Sequence, residues 1–177
     1  MSRRIASSSS SVVSAAERDI RARLAGQSLD FNAMSAVSNI YRAGAAVRNH
    51  MEREVLSAYD LSWVAFTVLW VLWIWGSQET GHVAAEAGVT KGTLTGVVKT
   101  LVSRRLVRRI PHRDDRRRVS IGLTRAGTAL IEEIFPVFNA HETLAVGSLT
   151  ATEQRDLARL LRRILAHIGD VDRPDSR

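Results

Sequence analysis

The 177-residue sequence contains no cysteine. That excludes disulfides, thiolate metal sites and thiol-based redox sensing. It also lacks a glycine-rich phosphate loop with a Lys-Ser/Thr ending, because Gly92-Thr93-Leu94-Thr95-Gly96 falls inside a helical pattern rather than between strand and helix. The five histidines, His50, His82, His112, His141 and His167, form no close His/Asp/Glu ligand pattern, and no catalytic constellation stands out. The expectation is therefore a non-enzyme with no catalytic residues, no metal and no cofactor. The longest apolar run, LSWVAFTVLWVLWIW at residues 61–75, falls short of the roughly 20 residues needed to cross a bilayer. The opening MSRRIASSSSS has no apolar core and is not a secretory signal, so a cytoplasmic protein without a membrane partner is expected. Acid is in deficit: 25 Lys and Arg face 18 Asp and Glu, a formal net charge of +7. Such an excess favours a polyanionic partner, with nucleic acid ahead of an anionic membrane surface.

Within residues 81–124 the sequence is most informative. Leu94, Val97, Val98 and Leu101 recur at i, i+3, i+4 and i+7, which predicts a helix over 90–103 with Thr90 as its N-cap. The opposite face carries Gly92, Thr93, Thr95, Gly96, Lys99 and Ser103 and no acid. Two glycines inside a helix cost about 1 kcal/mol each relative to alanine, so stability does not call for them. Close approach to another surface does. Upstream, residues 79–87 read as a helix burying Val83, Ala84 and Ala87, with Gly88 and Val89 as the turn. Helix, short turn with glycine and second helix make a helix-turn-helix, whose second helix enters the major groove. Downstream, residues 106–110 and 119–123 read as two strands joined by PHRDDRRR. From Lys99 to Arg118 there are nine Lys or Arg and two acids. A basic hairpin beside a helix-turn-helix points to DNA.

These residues also carry a family resemblance. Leu106-Val107, then Asp115-Arg116-Arg117, then Leu123-Thr124-Arg125-Ala126-Gly127 resembles the MarR family of winged-helix transcription regulators. That family's wing has Asp-x-Arg near the tip and Leu-Thr-x-x-Gly at its exit. The resemblance is strong over residues 81–127 and architectural elsewhere from residue 31 onward. It implies that Asp115 braces the wing by pairing with an arginine, that Arg117 enters the minor groove, and that Arg116 and Arg118 touch phosphates. Thr90, Lys91, Thr93, Thr95, Gly96 and Lys99 are the expected recognition-helix contacts; Arg113, Asp115, Arg116, Arg117 and Arg118 are those of the wing.

Around this unit the pattern is helical. The expected fold is mainly α with a small β-hairpin wing, a winged helix-turn-helix core at 61–124 flanked by dimerisation helices at 31–60 and 125–169. An N-terminal extension at 1–30 holds a serine run and a short helix ending at Gly26; residues 170–177 form a tail. Phe31, Met34, Val37, Ile40, Tyr41, Val47, Met51 and Val55 predict a helix over 31–58, about 40 Å long and more than one small domain needs. Residues 61–75 read as a buried helix capped by Asp60 or Ser62. Thr124 caps the next helix, which Pro136 should kink or locally break before Gly147. Thr150 and Glu153 make a capping box for the last, with Leu149 placed for a hydrophobic staple and Gly169 as its stop. Broad apolar stripes on both sides of a compact unit imply a homodimer, the commonest oligomer.

All four tryptophans, Trp63, Trp70, Trp73 and Trp75, lie in the apolar run. Core packing is the default account of such a cluster; an aromatic ligand pocket is the functional one. The resemblance implies a small aromatic or phenolic anion as effector between the dimerisation helices and the winged helix; in this chain Trp63, Phe66 and Trp70 are the candidate walls and Arg42 or His50 the candidate cationic contact. The leading expectation is a homodimeric regulator, a repressor by the resemblance, that reads a pseudo-palindromic operator in double-stranded DNA. The alternative is a nonspecific, architectural winged-helix protein without ligand control. A third reading, a peripheral membrane protein, requires the tryptophans to be exposed.

Overall fold

A computed structural model of the chain describes residues 15–111 and 119–171. Two compact units emerge, residues 1–46 and 47–177. In the first, helix α1 (Ala15–Arg23) is followed by the start of α2 (Phe31–Glu54). The Asp30 carboxylate caps α2, accepting from the amides of Asn32 at 2.9 Å and Ala33 at 3.0 Å. The Arg21 guanidinium lies 5.5 Å from the centre of the Phe31 ring, and Asn39 donates to Glu17 at 2.9 Å.

The second unit starts with the last turns of α2, where Met51 is fully buried. Helix was expected to residue 58 but stops at Glu54, and Leu56–Tyr59 forms a 3-10 turn. The Ser57 hydroxyl donates to the Arg53 carbonyl at 2.8 Å, taking the acceptor that a continuing helix would offer its amide. Asp60 then adopts the left-handed region (φ 55°) and reverses the chain. The Arg104 guanidinium locks this reversal by donating to the carbonyls of Asp60 at 2.6 Å and Tyr59 at 2.8 Å.

Helix α3 (Trp63–Trp75) is capped by the Ser62 hydroxyl and buries Ala65, Phe66, Val68, Leu69, Val71 and Leu72. A helix apolar on nearly every side belongs at the centre of a core. Packed on it are α4 (Thr80–Glu86), α5 (Lys91–Ser103) and α6 (Arg125–Ala145). A three-stranded antiparallel sheet closes the unit, ordered β1 (Gln78–Glu79), β3 (Val119–Leu123), β2 (Val107–Pro111). The β2–β3 register pairs Val107 with Leu123 and Pro111 with Val119. The two-residue β1 was not foreseen; it pairs Gln78 with Ile121 and Glu79 with Ser120.

Helix α6 runs through Pro136 without ending there. A proline removes one amide donor, and Ile131, Ile134 and Phe138 on both sides of it remain anchored in the core. Helix α7 (Ala151–Val171) continues two residues past the expected stop at Gly169. Its capping box is formed: Glu153 accepts from the Thr150 amide at 2.8 Å, and the Thr150 hydroxyl accepts from the Glu153 amide at 3.3 Å. The staple is replaced by a polar tie. The fourth helical position is Gln154, whose amide donates to the carbonyls of Val146 (3.3 Å) and Leu149 (3.1 Å). No helix among the described residues is long and apolar enough to cross a membrane.

Candidate nucleic-acid interface

The placement of α5 follows from two turns. At its start, Gly88 is left-handed (φ 62°); its amide bonds the Ala85 carbonyl at 3.1 Å, and Val89 bonds Ala84 at 3.0 Å. This double closure ends α4 and demands a residue tolerant of positive φ. Thr90 then caps α5, accepting from the Thr93 amide at 3.2 Å, while the two threonine hydroxyls lie 3.0 Å apart. At the far end the same closure recurs with Arg105 left-handed (φ 57°), its amide on Val102 and that of Leu106 on Leu101, both at 2.9 Å.

Leu94, Val98 and Leu101 are buried and Val97 is half-buried, so the other face of α5 points outward. Thr90, Lys91, Thr93, Thr95, Gly96 and Lys99 are all exposed on it. A methyl group on Gly96 would meet nothing within 4 Å, and one on Gly92 only the Thr90 hydroxyl at 3.8 Å. Nothing among the described residues requires these glycines. The Thr95 hydroxyl donates to the Lys91 carbonyl at 2.8 Å, so what this exposed side chain keeps for another partner is an acceptor and a methyl group.

The wing grows from a tight junction. Thr124 donates to the Arg105 carbonyl at 2.6 Å, approaches that of Leu106 at 3.2 Å and accepts from the Gly127 amide at 3.1 Å. A side chain at Gly127 would run into the Leu106 carbonyl oxygen. The Leu-Thr-x-x-Gly pattern thus has a steric reason: threonine ties strand to helix, and glycine lets the helix come close. Arg108 and Arg109 are exposed at the wing's base. Arg113, Asp115, Arg116, Arg117 and Arg118 lie outside the described residues.

On the other side of α3, Trp63, Phe66 and Trp70 line one cavity of about 350 Å³ together with Phe135 and Phe138 of α6. The Phe66 and Phe138 rings stack 4.1 Å apart, and Trp63 tilts on Phe138 at 5.9 Å. Three tryptophans pack partly buried against the core, whereas Trp75 is 46% exposed. Among the described residues the lining holds no Arg, Lys or His; its polar members besides the indoles are Thr67 and Glu142. His50 instead meets His141 of α6, Nε2 to Nδ1 at 3.0 Å. Arg42 belongs to the N-terminal unit, where it lines a small cavity with Phe31 and Met34. Among the described residues no group of three His, Asp or Glu converges to hold a metal ion. Glu142 had gone unnoticed in the sequence, though Phe135, Phe138 and Glu142 stand at i, i+3 and i+7 and so share one helix face.

Comparison with known proteins agrees with this geometry. The model of the MarR family matches residues 61–119. YwaE of Bacillus subtilis strain 168, an uncharacterised HTH-type transcriptional regulator, is 40% identical over 138 residues, covering 78% of this chain and 81% of its own. A mutant MarR of E. coli solved with operator DNA superposes with a TM-score of 0.69 at 27% identity, covering 78% of this chain and 99% of that one. BpsR of Bordetella bronchiseptica, whose DNA binding is regulated by 6-hydroxynicotinic acid, superposes with a TM-score of 0.69 at 25% identity, over 73% and 98% of the respective chains.

Proposed function

The chain belongs to the MarR family of winged-helix transcription regulators, and from that premise we propose that it is a homodimeric repressor reading a pseudo-palindromic operator. The observation that carries this reading is the outward face of α5: exposed, free of acid, flanked by Lys91 and Lys99, and kept low by two glycines that no described residue crowds. In this reading α5 lies in the major groove. Thr95, its hydroxyl proton already given to Lys91, offers an acceptor and a methyl group to base edges, suiting a base amino group or a thymine methyl. Lys91 and Lys99 meet phosphates, and Arg113, Arg116 and Arg118 extend that contact along the wing. Arg117 enters the minor groove, with Asp115 bracing it.

Homodimerisation rests on α7, which buries no residue against its own chain while exposing Leu157, Leu160, Ile164, Leu165 and Ile168. An amphipathic helix with its apolar stripe uncovered calls for a partner helix. The aromatic cavity between α3 and α6 is the effector site in this reading: a ligand wedged there shifts α6 relative to the core and changes the spacing of the two recognition helices. In this reading effector binding releases the operator; BpsR, whose DNA binding is regulated by 6-hydroxynicotinic acid, is a relative under small-molecule control.

Selection of binding sites from random duplex DNA tests the proposal. An inverted repeat with half-site centres about 10 bp apart, or a multiple, is expected. Salt-sensitive binding with no recovered motif would instead identify a nonspecific, architectural protein. Arg117→Ala should weaken binding while leaving the fold intact; unchanged binding would remove the wing from the interface.

A further inference from the structure

The aromatic cavity has walls of one electrostatic character. Five aromatic side chains line it, and the face of such a ring is the negative pole of its quadrupole. Its two other polar members present acceptors. The Thr67 hydroxyl has donated its proton to the Trp63 carbonyl at 2.9 Å. Glu142 contributes a carboxylate, one of whose oxygens accepts from Asn139 at 2.8 Å; an ionised carboxylate offers about four acceptor sites, so capacity remains. Trp63 and Trp70 carry indole N–H donors, but these are neutral and set no charge against Glu142. No Lys, Arg or His lines the cavity among the described residues. An anionic ligand would therefore face ring faces and a carboxylate with no counter-charge. A cation finds both favourable: aromatic faces attract a cation within about 6 Å of their centroids, and quaternary ammonium groups are recognised by such cages. A volume near 350 Å³ falls in the range of small-molecule sites, about 300–1,000 Å³.

We propose that this cavity selects a cationic aromatic effector, a quaternary or protonated ammonium borne on an aromatic ring, with its charge between the aromatic faces and Glu142. The proposal rests on the reading of this cavity as the effector site and separates the chain in ligand charge from BpsR, whose named regulator is an acid.

The test is a charge-matched panel on the full-length protein without DNA, followed by tryptophan fluorescence, since Trp63 and Trp70 line the cavity. The probes are benzyltrimethylammonium, its uncharged carbon isostere neopentylbenzene, and benzoate. The cation should bind at least about tenfold more tightly than the isostere, and benzoate more weakly than either. Glu142→Gln should erase most of the cation's advantage and leave isostere binding unchanged, which also shows that the variant is folded. Benzoate binding best, equal binding of cation and isostere, an unaltered preference in Glu142→Gln, or no binding by any probe would each overturn the proposal. A parallel titration of the protein–operator complex separates the two readings. Cation binding that leaves DNA affinity unchanged upholds the ligand class and removes effector control. Release by benzoate alone upholds control and overturns the class.

Discussion

Two helical glycines, Gly127 of α6 and Gly96 of α5, answer to different forces. Gly127 sits where a methyl group would enter the Leu106 carbonyl, so its absence of a side chain is a packing requirement. Gly127→Ala should destabilise the protein by about 1–3 kcal/mol, the usual penalty of overpacking, read as a lower urea midpoint. Gly96 has open space on its outward side and an ordinary helical backbone. Gly96→Ala should therefore stabilise the fold by about 1 kcal/mol. In the proposed complex the same methyl group stands between helix and groove, and operator affinity should fall about tenfold. A variant that is both more stable and binds DNA as before would take the face of α5 away from the groove at that point. The opposite signs separate a glycine kept for the fold from one kept for a surface outside it.

At the scale of the element, the capping box of α7 makes its start sensitive to acid. The Thr150 amide, and after it the Thr150 hydroxyl, hold the Glu153 carboxyl below the ordinary glutamate value. A carboxyl depressed in the folded state lends stability that is fully present above the unfolded-state value and is lost as pH falls through the lower folded one. The first turn of α7 should fray over that acidic interval, and Glu153→Gln should flatten the pH dependence of helix content seen by circular dichroism. A wild-type profile reproduced in the Gln variant would remove the cap as its source. This box was legible beforehand because Thr150-x-x-Glu153 is local: both partners lie within one turn. So were the Thr90 and Thr124 caps, the buried stripe of α5 and the paired strands of the wing. What escaped is non-local. Gln78 and Glu79 have no strand pattern and become β1 only because Ile121 and Ser120 offer edge groups to them. The turn that follows α2 is held by Arg104, whose guanidinium reaches back about 45 residues to the carbonyls of Tyr59 and Asp60. The lining of the cavity is non-local as well, since Glu142 comes beside Trp63 and Trp70 only because α6 packs on α3.

For the whole molecule the decisive feature is a helix whose apolar stripe the described residues leave largely uncovered. Leu165 is 69% exposed, and Leu157, Leu160, Ile164 and Ile168 each show 40% or more of their surface along the same helix. A glutamate at position 165 should cost an isolated chain little, because substitutions on open surface change stability by about 0.5 kcal/mol or less. At an apolar interface between two copies it would bury an unpaired carboxylate on each side of the two-fold axis, at several kcal/mol apiece. Leu165→Glu should therefore keep its helical spectrum while sedimenting as a monomer at concentrations where the parent is a dimer. Its affinity for an inverted repeat should drop at least about a hundredfold, since the second half-site is no longer held at high effective concentration. Affinity for an isolated half-site should hardly change, because α5 and the wing lie elsewhere on the chain. A variant that remains dimeric would move the interface off α7. A monomer that binds the full repeat as tightly as the parent would show that the two half-sites are read independently, and the two-fold operator would lose its physical basis.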